Sequence, residues 1–157
     1  MKILLLVIGK THENYIFDGI NQYRNRLKHY INFDYEEVPD IKNRKTLSKD
    51  QQKKNEANLI LLRLKIGDHV VLLDEKGESF RSTDFSSYLQ KKMNSGIKRL
   101  VFIIGGPYGF DKSIYDKYQF KLSLSKMTFS HQMVRLFFIE QIYRAMTIIK
   151  NEPYHHE

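Results

Sequence analysis

The sequence contains no cysteine among its 157 residues. This absence excludes a disulfide scaffold, a thiolate zinc site and a cysteine nucleophile. A chain of this length forms one domain whose core buries roughly two-thirds of the unfolded surface, so its stability requires no disulfide or metal. We therefore predict a single domain over residues 1–157 that holds no metal.

Long hydrophobic runs are missing as well. The chain starts with MKILLLVIGK, in which six consecutive residues from Ile3 to Ile8 are apolar. Six residues are too few for the core of a signal peptide and far too few for a membrane span of about 20 residues. The run is typical of a buried first strand, and the sequence predicts a cytoplasmic protein with no membrane contact.

The glycine patterns of common phosphate-binding loops are also absent. IIGGPYGF (103–110) contains three glycines, but it matches neither GxGxxG nor GxxxxGK[ST]. Because Gly105, Gly106 and Gly109 lack a Cβ, their backbone can approach a ligand closely. Taken alone, such a segment is more often an ordinary turn than a binding loop.

Acidic residues are fewer than basic ones. The 26 Lys and Arg residues against 18 Asp and Glu residues give a formal net charge of +8. This excess favours a polyanionic partner such as nucleic acid, although a solvated basic surface is an equally simple explanation. The candidates for contacts with the phosphates of such a partner lie within the polar segment 40–56. They are Lys42, Arg44, Lys45, Lys53 and Lys54.

Strand-like and helix-like apolar segments alternate along the chain. Strands are predicted at 2–9, 33–38, 69–73, 99–106 and 120–125, with a long amphipathic helix after the last of them. This alternation predicts an α/β fold with a mainly parallel sheet covered by helices.

Three local features refine this prediction. The polar segment 40–56 is predicted to be a mobile loop that leads into a helix, with a capping box at Ser48 and Gln51. Gly77 is predicted to lie in a turn after the third strand. Thr83 is predicted to cap the next helix.

Ligands of open α/β sheets bind beyond the carboxyl ends of the strands. Three such ends carry distinctive residues: LLDEKG (72–77), IIGGPYGF and LSLSKMTFSHQ (122–132). In the last of these, a strand-like alternation gives way to hydroxyls, a thioether and an aromatic ring without a glycine. The segment is either a plain connection or the wall of a binding site.

The final helix and the tail contain further polar candidates. Arg135, Glu140 and Arg144 are predicted to lie off its apolar stripe, and the i,i+4 spacing of Glu140 and Arg144 predicts a surface ion pair worth a few tenths of a kcal/mol. His131 is predicted to be a structural histidine. A metal site at the adjacent His155, His156 and Glu157 is disfavoured, because a flexible end does not preorganise ligands.

The C-terminal third resembles a known family. IIGGPYGF followed by LSLSKMTFSHQMVRLFFIEQIYRAMTIIKNEPYH resembles the RlmH family of SPOUT methyltransferases, and MKILLLVIGK, EVPD and LLDEKG extend the resemblance over the whole chain. The resemblance implies a homodimer with a parallel-sheet SPOUT fold and a C-terminal trefoil knot. It also implies S-adenosyl-L-methionine as cofactor and methylation of N3 of pseudouridine 1915 in large-subunit (23S) ribosomal RNA on assembled ribosomes.

Site residues follow from the matching motifs. The resemblance implies cofactor contacts at Leu73, Gly105, Leu124, Ser125, Lys126, Met127, Thr128 and Phe129. It implies catalytic roles in the C-terminal segment: Arg144 for RNA or anion stabilisation, Tyr154 for base positioning and His155 for proton acceptance. The alternatives are a SPOUT methyltransferase acting on tRNA or another rRNA position, a non-catalytic ribosome-binding module and, more distantly, an α/β enzyme with a phosphate cofactor.

Overall fold

Five strands form one sheet in the structure, a computed structural model that describes residues 1–41 and 44–155. The strands are β1 (Lys2–Ile8), β2 (Asn32–Val38), β3 (His69–Ser79), β4 (Arg99–Ile104) and β5 (Lys121–Ser123). Every neighbouring pair is parallel, in the order β2-β1-β4-β3-β5. The predicted parallel sheet is confirmed. Three residues discussed above lie outside the described residues: Lys42, His156 and Glu157.

Helices cover both faces of this sheet. They are α1 (Asn14–Leu27), α2 (Lys49–Leu61), α3 (Ser82–Asn94), α4 (Lys112–Lys117) and α5 (Met133–Ile149). Apolar residues of α1, α3 and α5 share one core with the sheet, and those of α2 and α4 share the other. No helix in the described ranges has both the length and the apolar character needed to cross a membrane.

The central strands show why the sheet is buried on both sides. In β1, Ile3, Leu5 and Val7 enter the core under α1, α3 and α5, whereas Leu4 and Leu6 enter the core under α2 and α4. Side chains of a strand alternate between faces, so a continuous apolar run fits only a strand that is covered twice.

The polar segment 40–56 is the largest departure from the sequence-based prediction. Its second half is α2 rather than a mobile loop, and a short 3-10 turn, Arg44–Thr46, precedes it. The predicted capping box is confirmed, with Ser48 and Gln51 bonded in both directions. The predicted helix start is thus confirmed, but Gln52 and Glu56 occupy the buried face of its first turns, so no apolar periodicity shows there that the helix already begins at Lys49.

Gly77 lies within β3 and not in a turn after it. Leu122 of β5 pairs with both Leu73 and Glu78, so the intervening residues of β3 leave the regular register. A Cβ on Gly77 would stand 2.6 Å from backbone atoms of Leu122. The glycine is therefore required by the close approach of two backbones, a contact between residues 45 positions apart in the chain that local sequence does not display.

The start of α3 also differs from its prediction. The helix begins at Ser82 with Arg81 at the N-cap position, so Thr83 lies within the first turn and does not cap it. Phe85 and Leu89 of this helix are buried against the sheet.

The end of α5 reverses the chain. Asn151 has a φ of 54°, and the backbone N–H groups of Asn151 and Glu152 donate to the carbonyls of Ile148 and Thr147 at 3.0 Å each. This is the paired hydrogen bonding of a Schellman motif, in which asparagine adopts the left-handed conformation. The reversal brings Tyr154 back against α5.

Candidate functional site

A cavity of about 780 Å³ opens where the carboxyl ends of β3, β4 and β5 meet. Its volume falls within the range of about 300–1,000 Å³ that is typical of small-molecule sites. The lining residues are 73–76, 104–110, Tyr115, 121–125, 127–129, His131 and Val134. The three strand ends singled out in the sequence therefore meet at one site.

The segment after β5 forms one wall of this cavity. Leu124, Ser125, Met127, Thr128 and Phe129 all line it. Ser125 shapes the wall, because its hydroxyl accepts a hydrogen bond from the backbone N–H of Met127 at 2.9 Å. Such a serine turn replaces the glycine that a tight connection otherwise uses.

The other residues assigned to the cofactor are placed as follows. Leu73 and Gly105 line the cavity from β3 and from the loop after β4. Lys126 is exposed and lies in the same turn as Ser125, but it is outside the cavity lining.

The loop after β4 is held closely against its neighbours. A Cβ on Gly105 would meet the ring of Phe110 at 3.2 Å, and a Cβ on Gly106 would meet a carboxylate oxygen of Glu56 at 2.5 Å. Glu56 is buried on α2, where it accepts a hydrogen bond from Gln52 at 2.9 Å, and burial raises the pKa of its carboxyl. The packing fixes the loop against α2.

A tyrosine closes the cavity on the side of β3. The hydroxyl of Tyr115 donates to Asp74 at 2.5 Å, and burial followed by this carboxylate raises the pKa of Tyr115 to about 12. The phenol therefore stays protonated at neutral pH, and the pair ties α4 to the irregular part of β3.

The start of α5 carries the last wall residues and a buried charge. His131 lines the cavity, and burial, then the charge of Arg135, lowers its pKa, so its imidazole is neutral at neutral pH. The spacing predicted that Arg135 lies off the apolar stripe of the helix, and this is wrong, because Arg135 is fully buried. Its guanidinium donates to the carbonyls of Ile8 at 2.7 Å, of Gly9 at 3.0 Å and of His131 at 2.9 Å.

A second polar group lies farther along α5. Glu140 accepts hydrogen bonds from Arg144 at 2.7 Å and from the hydroxyl of Tyr154 at 3.0 Å. The guanidinium of Arg144 lies 4.7 Å from the centre of the Tyr154 ring, and the Tyr154 hydroxyl is 3.2 Å from that of Tyr23. We call Arg144, Glu140, Tyr154 and Tyr23 the α5 cluster.

Burial strengthens the α5 cluster. The side chains of Arg144 and Glu140 are 26% and 16% exposed, so the predicted surface ion pair is in fact largely buried. Burial, then the hydrogen bonds with Tyr23 and Glu140, raises the pKa of Tyr154. Tyr154 therefore remains a neutral hydrogen-bond donor and not a base. His155, the next residue, is half-buried.

The α5 cluster and the cavity are well separated within one chain. Val134 lines the cavity, and Arg144 follows it ten residues later on the same helix. At 1.5 Å per residue the two lie about 15 Å apart along the axis. One chain alone thus leaves Arg144 well away from the cavity wall at Val134.

Basic side chains are exposed on α2 and on the turn before it: Arg44, Lys45, Lys49 and Lys54. Arg44 pairs with Asp40 at 3.5 Å and Lys53 with Asp50 at 3.1 Å, and Lys49 lies 5.4 Å from the ring centre of Tyr108, which lines the cavity. Among the described residues no group of three or more His, Cys, Asp or Glu side chains is arranged to hold a metal ion.

Sequence reasoning missed Glu140 and Tyr23 as members of the α5 cluster. The pair spacing of Glu140 was visible, but its burial depends on the returning tail. The available signal was Asn151 followed by Pro153, which together indicate a helix stop and a turn.

The family profile described as "Predicted SPOUT methyltransferase" matches residues 1–155 of the chain. Three relatives named "Ribosomal RNA large subunit methyltransferase H" align over the whole of both chains. The protein of Parabacteroides distasonis is 63% identical, that of Flavobacterium johnsoniae 60% and that of Phocaeicola vulgatus 59%.

One solved structure is similar in fold. It is titled as a probable methylase family protein from Haemophilus influenzae, with a TM-score of 0.52 and 12% sequence identity. The match covers 95% of this chain and 66% of the other. At this identity the similarity concerns the fold alone.

Proposed function

The chain belongs to the RlmH family of SPOUT methyltransferases, and from this premise we propose that it methylates N3 of pseudouridine 1915 in large-subunit ribosomal RNA with S-adenosylmethionine. The single observation that carries the proposal is the cavity at the ends of β3, β4 and β5, because its walls are the segments that the resemblance assigns to the cofactor. The names of the full-length relatives support the rRNA substrate.

The cavity fits the chemistry of this cofactor. Leu73, Leu124, Met127 and Phe129 give an apolar slot for a flat adenine, and Gly105 leaves room for the ribose or the methionine part. When bound, the cofactor would supply a methyl group attached to a sulfonium sulfur. The thioether that remains after transfer is a good leaving group. The protein therefore has to align the acceptor nitrogen and exclude water.

The acceptor nitrogen must lose its proton. We assign Arg144 to stabilise the negative charge that develops on the imide, as a guanidinium held by Glu140 can do. Tyr154 positions the base through its fixed hydroxyl, and His155 accepts the N3 proton. The raised pKa of Tyr154 supports the assignment of the proton to His155, because a neutral phenol is a donor.

We further propose a homodimer in which the α5 cluster of one chain faces the cavity of its partner. The separation of about 15 Å within one chain supports this arrangement. An exposed apolar patch supports it as well, since Phe129 and Phe137 are 38% and 40% exposed and their rings lie 5.0 Å apart.

The trefoil knot belongs to the same proposal. It is supported by the path of the chain, which leaves the sheet edge at β5 and returns so that α5 packs on α1 and α3. We also propose that residues 1–157 form a single domain and that the protein is located in the cytoplasm, where ribosomes are found.

The proposal is tested by mass spectrometry of large-subunit rRNA. We expect a strain that lacks this protein to lose one methyl group at pseudouridine 1915, and the purified protein with S-adenosylmethionine to restore it on ribosomes in vitro. Loss of a tRNA methyl group instead would favour the other SPOUT substrates. An unchanged set of modifications would contradict an enzymatic role.

Replacing Gly77 with alanine should weaken S-adenosylmethionine binding by about tenfold or more, measured by titration calorimetry. The new Cβ would stand 2.6 Å from the backbone of Leu122, so β5 must shift and carry the wall after it. Gly96→Ala is the matched control. Gly96 has a φ of +78° and open space around it, so this substitution should lower the free energy of unfolding by about 1 kcal/mol and leave cofactor affinity unchanged. Parental affinity in Gly77→Ala would exclude this wall from the cofactor site.

A further inference from the structure

Tyr108 stands at the mouth of the cavity, on the loop after β4, with its side chain 46% exposed. We propose that its ring is a stacking platform for a nucleobase next to the target nucleotide, with Lys49 placed for the adjoining phosphate. The inference rests on the proposed function only in taking RNA as the substrate. It adds a site for a second, unmodified nucleotide at the rim of the cavity proposed for the cofactor.

The turn that carries Tyr108 is held at both ends. The backbone N–H of Gly109 donates to the carbonyl of Gly106 at 3.1 Å, and Gly109 has a φ of +75°. Pro107 occupies the second position of this turn, where its ring restricts the backbone. A tyrosine displayed by such a turn loses little conformational entropy when a base stacks on it.

Packing beneath the turn adds to its rigidity. Gly106 lies against the buried carboxyl of Glu56, and Phe110 packs edge-on against Tyr115 with ring centres 5.7 Å apart. The ring of Tyr108 thus projects from a fixed base, as a platform for stacking requires. A loop that only closed a turn at the surface would need neither an aromatic ring nor this support.

The charges around Tyr108 suit a polyanion. Lys49 lies at the start of α2 with its Nζ 5.4 Å from the centre of the Tyr108 ring. Lys45, in the short 3-10 turn before α2, is exposed as well. An aromatic ring beside several cations is the combination that binds unpaired RNA, because the ring stacks on a base while the cations meet the phosphates.

Exposed apolar side chains line the same cavity as Tyr108. Met127 is 77% exposed and Phe129 is 38% exposed, and both are lining residues. A nucleotide whose N3 reaches the cavity must be turned out of its stack, which leaves its neighbour without a partner. The ring of Tyr108 would replace that lost stacking.

The test compares dissociation constants for ribosomes that lack the methyl group, measured by co-sedimentation. Tyr108→Leu, which removes the ring but keeps apolar bulk, should weaken binding between about fivefold and about 100-fold. Tyr108→Phe and Tyr108→Trp keep a ring and should bind within about twofold of the parent. Lys49→Gln should weaken binding and reduce its dependence on salt.

Lys92→Gln is the matched control for Lys49→Gln. Lys92 also lies over a tyrosine, 5.2 Å from the ring centre of Tyr88, but on α3 at the other face of the sheet. It should leave ribosome binding unchanged. Calorimetry with S-adenosylmethionine completes the comparison, and each Tyr108 variant should keep the parental cofactor affinity.

Two results would overturn the inference. One is parental ribosome binding by Tyr108→Leu; the other is a parallel loss of cofactor affinity, which would make the ring part of the cofactor wall. Co-sedimentation requires no methyl transfer, so the two proposals fail separately. A parent that binds ribosomes through Tyr108 but methylates no rRNA would contradict the proposed function alone.

Discussion

Arg144→Ala should lower the rate of methyl transfer to ribosomes by about a hundredfold or more while cofactor affinity stays at the parental value. The guanidinium is held by Glu140 at 2.7 Å and rests 4.7 Å from the Tyr154 ring, so it is preorganised to meet the imide charge. Removing one preorganised donor of this kind typically costs about 10²–10³ in rate. Single-turnover transfer of a tritiated methyl group measures the rate, and calorimetry measures the affinity.

Arg24→Ala is the control for a lost arginine–tyrosine contact. Arg24 lies 5.9 Å from the centre of the Tyr35 ring, outside the α5 cluster, and its replacement should leave the rate within about twofold. His155→Ala should slow transfer in the same way as Arg144→Ala if it accepts the proton. Parental rates in both Arg144→Ala and His155→Ala would eliminate the assigned roles.

Mixing two impaired variants, with S-adenosylmethionine held well below the dissociation constant of Gly77→Ala, tests whether the site is shared between subunits. Arg144→Ala retains its cavity, and Gly77→Ala retains its α5 cluster. In a mixed dimer one of the two sites combines the intact parts, so an equal mixture that exchanges subunits freely should regain about a quarter of parental activity. No recovery after exchange would place both parts of each site in one chain.

Residues whose surroundings are local in the chain were predicted well. The apolar runs of β1 and β4 specified buried strands because only a sheet covered on both faces accommodates them. Ser48 and Gln51 specified the start of α2 because a capping box involves only four neighbouring residues. The meeting of three strand ends followed from the parallel sheet itself.

Residues whose partners are distant in the chain were not predictable in this way. Glu56 is polar yet buried because Gly106, fifty residues later, packs on its carboxylate. Gly77 is needed because β5 passes close to it. The position of Tyr154 depends on the reversal at Asn151 and on Tyr23 of α1. Each case requires the tertiary fold, which periodicity does not encode.

The same limit applies to the assignment of the site. Strand ends predicted where the cavity lies, but the ligand that we propose for it came from the resemblance of IIGGPYGF and LSLSKMTF to a family. Ser125 and Met127 explain the shape of the wall through their hydrogen bond. Their chemistry alone fits any flat ring and does not single out the adenine of adenosylmethionine.

Arg135 is the side chain whose loss should destabilise the fold most. Arg135→Met keeps much of the volume but leaves the carbonyls of Ile8, Gly9 and His131 without their donor. Each buried acceptor left unpaired costs about 1–3 kcal/mol, and removing the buried charge offsets part of this. We expect the free energy of unfolding to fall by about 3 kcal/mol, measured by urea denaturation.

Arg144→Met makes the same change nine residues later on α5 and serves as the control. Its side chain is 26% exposed, against a fully buried Arg135, and Glu140 keeps the hydrogen bond from Tyr154, so the cost should be about 1 kcal/mol. Arg135→Lys should fall between the two, because an ammonium reaches fewer of the carbonyls than the forked guanidinium. If the free energy of unfolding of Arg135→Met lay within about 1 kcal/mol of the parental value, these hydrogen bonds would not contribute to stability as proposed.

The effect of Arg135→Met should extend to the cavity, because Arg135 joins the end of β1 to the start of α5. Its guanidinium also donates to the hydroxyl of Thr11 at 3.0 Å, and Gln132 bonds the backbone of Lys10 and of His12. Without the arginine, His131 and Val134 lose their fixed position on the wall. Amide exchange should therefore increase first at residues 9–12 and 130–134, and cofactor affinity should fall even at temperatures where the variant remains folded.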